Sequence, residues 1–153
     1  MSLFLGVDPG QSGAYAIIDD KGHVVHWCKG SEPCKDRRDM ITAYAYSIDY
    51  AVLEKVHSMP KQGVASSFKF GVSFGEATTI LEILDIRHEL VTPQKWQKVM
   101  GCMSKGDKNV TKQAAQRFFP GFKIIHANAD ALLLAEYARR RAVSLGLTGV
   151  ANA

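Results

Sequence analysis

The chain has 153 residues, 46% hydrophobic and 22% charged, which is enough for one domain with a real core. No apolar run approaches the roughly 20 residues that a membrane span needs, and Met1–Leu5 carries neither a basic region nor a cleavage site, so a cytosolic protein with no membrane partner is expected. The net charge of +4 is uneven: residues 1–91 hold 9 Lys/Arg and 12 Asp/Glu, and residues 92–153 hold 10 and 3, an asymmetry that fits a polyanionic partner or a solvated basic surface equally well.

Leu3–Asp8 is a short apolar run stopped by Pro9-Gly10 and reads as a buried strand. Gly13–Asp19 and His23–Cys28 read as two more, joined through the turn Asp19-Asp20-Lys21-Gly22, which predicts an antiparallel meander. Met40, Ile41, Tyr44 and Ile48 have helical spacing and predict a helix over Arg37–Ile48. Tyr50–Val56 is then a strand carrying Glu54, Gln62–Ser67 a polar loop, and Phe68–Leu84 a long helix. Arg87–Thr92 is another strand, and Pro93 opens a helix over Gln94–Met100. After a loop at Gly101–Asp107, Val110–Phe119 is a helix ended by Pro120-Gly121, Phe122–Ile125 a short extended segment, and Ala127–Ser144 the last helix, with fraying from Gly146. A meander followed by alternating helix and strand implies a mixed α/β sheet with helices on both faces. Cys28, Cys34 and Cys102 have no metal-ligand spacing and point to a reducing compartment.

Three acids stand out. Asp8 ends a buried strand, where sites collect in such sheets, and Gly10 and Gly13 let a ligand approach the backbone; a turn aspartate bonding its own backbone is the plain alternative. Glu54 closes the apolar run Ala51–Leu53, where a carboxylate is costly to bury unless it is paired or bound to a metal; an ordinary solvent-facing residue on an edge strand is the plain alternative. Asp130 opens an apolar helix between Ala129 and Ala131; the macrodipole alone favours it there, but the small neighbours also let that helix press close to the sheet. Brought together, such acids supply the hard oxygen ligands of two Mg²⁺ ions, the arrangement that hydrolyses phosphodiesters.

Gly6-Val7-Asp8-Pro9-Gly10 with Gly13, then Leu53-Glu54-Lys55-Val56, then Val99-Met100-Gly101 with Lys108, then Ala129-Asp130-Ala131-Leu132 resemble, in order and spacing, the RuvC family of Holliday junction resolvases and its phage-encoded relatives. The resemblance runs to about Ala142. It implies an RNase H-like fold with a mixed five-stranded sheet, a single domain, and a homodimer that nicks opposed strands of four-way DNA junctions in a bacterial or infected-host cytosol. It implies that Asp8, Glu54 and Asp130 hold two Mg²⁺ ions, replaceable by Mn²⁺, and that Lys108 stands by the scissile phosphate. The family's further acid, three residues before Asp130, is here Ala127. That position shares a helix face with Asp130, so the site is expected to lack one ligand unless His126 substitutes.

Lys61, Gln62, Ser66 and Phe68 resemble the family's junction-entering loop, with Phe68 or Phe70 as the candidate wedge between bases and core packing as the plain alternative for each. Lys105, Lys108 and Lys112 are expected on phosphates, while Trp96 is expected in the core and Arg139–Arg141 on a solvated helix end. Gly71 and Gly75, each costing about 1 kcal/mol of helix stability relative to Ala, imply close packing of the helix Phe68–Leu84 either on its own sheet or, with Phe74, on a twin across a two-fold axis. A sugar-kinase or actin-like ATPase, a non-catalytic branched-DNA-binding module and an RNA-directed nuclease are the competing readings.

Overall fold

In a computed structural model describing residues 1–56 and 60–148, β1 (Leu3–Asp8), β2 (Ala14–Asp19) and β3 (Val24–Lys29) form the expected antiparallel meander. The chain continues through α1 (Cys34–Thr42), β4 (Ile48–Glu54), α2 (Val64–Ile83), β5 (His88–Val91), α3 (Pro93–Met100), α4 (Lys108–Phe118) and α5 (His126–Ser144). The sheet order is β3-β2-β1-β4-β5, with β1–β4 and β4–β5 parallel. This is the mixed five-stranded sheet with helices on both faces that the sequence predicts.

Strand alternation divides the core in two. Leu3, Leu5 and Val7 of β1 and Ala51 and Leu53 of β4 face Ile41 of α1 and Ala77, Ile80 and Leu81 of α2. Phe4, Tyr50 and Val52 face the other way, against Trp96 of α3, Ala114 and Ala115 of α4 and the apolar length of α5. On the α1/α2 side the guanidinium of buried Arg37 donates to the Tyr15 hydroxyl, the Glu32 carbonyl and, at 2.7 Å, Glu76 Oε2, tying α1 to α2 and the sheet.

Four local expectations change. The helix over Arg37–Ile48 ends at Thr42; a 3₁₀ turn spans Ala45–Ser47, and Ile48 pairs with Leu3, so sheet pairing overrides the apolar period. The polar loop Gln62–Ser67 is largely helix, because α2 starts at Val64 and Ser67 N–H already donates to the Gly63 carbonyl. Phe122–Ile125 is no strand: buried Asn128 accepts from Ile125 N–H and donates to the Lys123 carbonyl, and that capping fixes the segment as the entry to α5. Arg139 and Arg140 are not merely solvated, since both pair with buried Glu136, while Arg141 reaches Glu89 at 2.8 Å.

Beyond α5, Gly146 adopts φ 68° and Leu147 N–H donates to the Ala142 carbonyl; the rest of the tail expected to fray, residues 149–153, lies outside the described residues. Among the described residues no helix is long and apolar enough to cross a membrane.

Candidate active site

Asp8 ends β1 and Glu54 ends β4, and the parallel ladder places Val7 opposite Leu53, so the two acids are next in register at the same sheet edge. By alternation each shares the face of the residue two before it, Gly6 and Val52, which is the α5 face. The helix lies directly on β1: a Cβ at Gly6 would stand 2.2 Å from the Ala131 carbonyl oxygen and 2.3 Å from Ala135 N. Ala129 and Ala131 are buried, and Asp130 between them is near enough to act on the charges of both Asp8 and Glu54. The alanines were legible as a close-packing signal. Gly6 was missed, although a lone glycine inside an apolar strand marks such an approach.

The three acids share an electrostatic environment that disfavours their charge. Asp8 is held well above the usual carboxylate range, first by burial and then by the charges of Glu54 and Asp130, with Lys108 opposing. Burial also pushes Glu54 up to about 7, with Asp130 adding to the rise and a hydrogen bond from Trp96 working against it. Asp130 is raised by burial, against which a Thr111 hydrogen bond, Lys108 and His126 act. Its Oδ1 is buried and has no hydrogen-bond partner among the described residues.

An open cleft of about 440 Å³ lies beside these groups, lined by Glu54, Asp130, Thr111, Lys105, Lys108 and Gln97 among others; Asp8 is not part of its wall. Lys108 opens α4, whose N-cap Asp107 accepts from Asn109 N–H. The loop before it, with Lys105 at φ 50°, is tied back by Ser104, which donates to Gln97 Oε1 through both its N–H and its hydroxyl. Lys112, one turn further along, is half-buried and outside the cleft wall.

His126 is exposed at the first position of α5, and Ala127 is half-buried one turn before Asp130. Among the described residues no three His, Cys, Asp or Glu side chains form a group that could hold an ion. The chemistry of the donors nevertheless fits a hard divalent cation: desolvated acids whose repulsion a cation would offset, and an orphaned carboxylate oxygen among them. The shortfall is in convergence: the three acids act on one another's charges without closing into one ligating group, and Ala127 lies on the same helix face as Asp130 with no donor to add.

The glycines after β1 serve the chain itself rather than an approaching ligand. A Cβ at Gly13 would lie 2.0 Å from the Asp8 carbonyl oxygen, so the return of the backbone past Asp8 demands glycine. Gly10 carries the ring of Phe70, which removes Phe70 as a candidate base wedge and braces α2 against the loop after Asp8.

Phe68 is 73% exposed, with exposed Ser66 and Lys61 nearby in sequence and Gln62 half-buried. Gly71 and Gly75 have open space where a Cβ would stand, so neither packs on the protein's own sheet. Phe74 is half-buried and packs on the α1/α2 side of the core. Trp96 is in the core as expected, and its bond to Glu54 was not legible from the sequence, nor was the contact of Thr111 with Asp130.

No protein-family model and no curated protein matches the chain. Its structure resembles that of Thermus thermophilus RuvC, with a TM-score of 0.63 and 16% identity over 95% of this chain and 97% of that one. It also resembles T. thermophilus RuvC in complex with Holliday junction substrate, with a TM-score of 0.62 and 14% identity over 96% of this chain and 98% of that one. The shared feature is the fold, the RNase H-like architecture of RuvC along nearly the whole chain.

Proposed function

We propose that this protein is a structure-selective endonuclease that binds branched DNA, four-way junctions above all, and nicks opposed strands by metal-dependent phosphodiester hydrolysis. The observation that carries the reading is that Asp8, Glu54 and Asp130 are buried at one end of the sheet, near enough for Glu54 and Asp130 to raise Asp8 and for Asp130 to raise Glu54, beside a cleft walled by Lys105 and Lys108. The likeness to a RuvC solved with a Holliday junction substrate supports the choice of DNA.

Asp8, Glu54 and Asp130 would hold two Mg²⁺ ions, or Mn²⁺ in their place. Such ions supply activation of water and stabilisation of the leaving oxygen. Lys108 orients the scissile phosphate and offsets its charge, and Lys105 and Lys112 with the Lys61–Phe68 segment hold the flanking strands. Recognition rests on branched shape and phosphate charge, so affinity falls steeply with salt.

Two active sites for two strands call for a two-fold dimer. The outer face of α2 supports one: Phe68, Gly71, Val72 and Gly75 lie exposed along it.

Ala127 favours a second reading, a junction-binding protein with little cleavage of its own. Both readings meet one experiment: nicking of a synthetic four-way junction, with duplex and flap controls, by the natural chain and by Ala127→Asp in Mg²⁺. The expected result is tight binding by both, weak nicking by the first and strong nicking by the second. An unchanged rate in Ala127→Asp would show that position 127 is not where the ligand is lacking. Failure of both proteins to prefer branched DNA would overturn the proposal.

A further inference from the structure

Trp96 lies in the core, fully buried, yet its indole N–H has a carboxylate to meet: it donates to Glu54 Oε2 at 2.7 Å. The bond is not a by-product of a loosely held side chain. Pro93 stands in the first turn of α3, the Thr92 hydroxyl accepts from Lys95 N–H, and Gly101 closes the helix in the left-handed conformation, so both ends of this short helix are set. Trp96 packs there among Phe4, Tyr50, Val52 and α5 residues, the side chains that also define the face from which Glu54 projects. Glu54 has no cationic partner among the ion pairs of the described residues. It is 8% exposed and forms part of the cleft wall.

We propose that Trp96 is a positioning residue for Glu54: its N–H occupies Oε2 and fixes the carboxylate so that Oε1 is the oxygen offered to a cation in the cleft. The inference rests on the metal-dependent reading above and deepens it. A buried carboxylate with two or more rotamers open to it delivers its oxygen to a cation at an entropic cost, and a partner that fixes the rotamer removes that cost. The indole suits the task because it donates one hydrogen bond, accepts none, and adds no charge that would compete with the cation. Gln97, the next residue on the same helix, holds the loop carrying Lys105 through Ser104, so α3 supports two walls of the cleft from adjacent positions.

The test is Mn²⁺ binding by titration calorimetry, in the absence of DNA, on the natural chain, on Trp96→Phe, and on protein with β-(3-benzothienyl)alanine at position 96. The last keeps the bicyclic shape and lacks the N–H. The proposal expects Mn²⁺ affinity to fall about 10–100-fold in both variants, the range seen when a ligand's outer partner is removed. In a Glu54→Gln background the same replacements cause no additional loss. Natural affinity in the benzothienyl protein would overturn the proposal, because shape and not the hydrogen bond would then be what matters. That variant also decides the matter if Trp96→Phe does not fold. Losses that simply add to that of Glu54→Gln overturn it too. If the natural chain and Ala127→Asp both take up no Mn²⁺, the metal-dependent reading itself falls, an outcome distinct from a failure of Trp96 alone.

Discussion

The strand ends beneath α5 and the outer face of α2 are incomplete in opposite ways. Under α5, charge-bearing oxygens are buried with few partners: three acids raised by desolvation and an Asp130 oxygen with no hydrogen bond among the described residues. On α2, apolar side chains stand exposed to water, Val64 at 88%, Phe68 at 73% and Val72 at 46% exposure. Buried polar groups are normally satisfied, and exposed apolar stripes of this kind mark interaction surfaces. On the proposed reading the first region takes a small cation, and the second a macromolecular surface. The packing of the two differs accordingly: α5 is pressed onto β1 at Gly6, whereas α2 buries Ala77, Ile80 and Leu81 and leaves its outer face exposed.

The largest expected effect tests the acid region as a catalytic unit. In an Ala127→Asp background, Asp8→Asn is expected to lower Mg²⁺-dependent junction nicking by about 100-fold or more while leaving junction binding within a few-fold. A gel assay of both quantities checks it, and equal loss of binding would remove the distinction between the two regions.

Gly6→Ala follows. The added methyl meets backbone atoms of α5, which cannot move aside as a side-chain end does, so a cost of about 3 kcal/mol and a Tm drop of roughly 10 °C are expected. Thermal melts decide it, and an unchanged Tm would mean that α5 does not rest on β1 there.

Next comes a gain. Glu54 is raised from 4.5 to about 7, so the folded protein binds that proton more tightly than the unfolded chain. Its stabilising contribution is complete below about pH 4.5 and is lost as pH rises towards 7 and beyond. Glu54→Gln stays neutral throughout and keeps an acceptor for Trp96. With chelator present it is expected to be the more stable protein by as much as ~3 kcal/mol at pH 8, with the difference vanishing near pH 4.5. Melts at the two pH values measure it. A variant less stable at pH 8 would show that the carboxylate is not held at a cost in the metal-free protein.

The smallest effect sharpens the α2 side. Gly75→Ala is expected to stabilise the monomer by about 1 kcal/mol, since the methyl meets nothing and helix propensity improves. Gly75→Glu leaves the monomer fold intact and shifts sedimentation from dimer to monomer. A natural chain that sediments as a monomer at every concentration would remove α2 as a self-association face.

Much of the architecture was legible in the sequence because local signals and tertiary demands agree. Pro9-Gly10 ends β1 where the apolar run ends, Asp19–Gly22 turns the meander, and Thr92-Pro93 opens α3. Legibility failed where a residue's local preference was weaker than a distant partner's demand. Ile48 left a helical period to pair with Leu3, the small polar residues before Phe68 joined α2, and the arginines of α5 found Glu136 and Glu89.

By itself the sequence determined where the strands fall along the chain and which residues would be acids at their ends, because apolar period and turn chemistry act over a few neighbouring residues. Only the tertiary structure decided that Asp8 and Glu54 share a face, that Trp96 reaches Glu54, and that Phe70 is spent on Gly10 while Phe68 is left in water. These depend on register and on how closely helices approach the sheet, distances that arise from the packing of segments far apart in the chain and that no local pattern encodes.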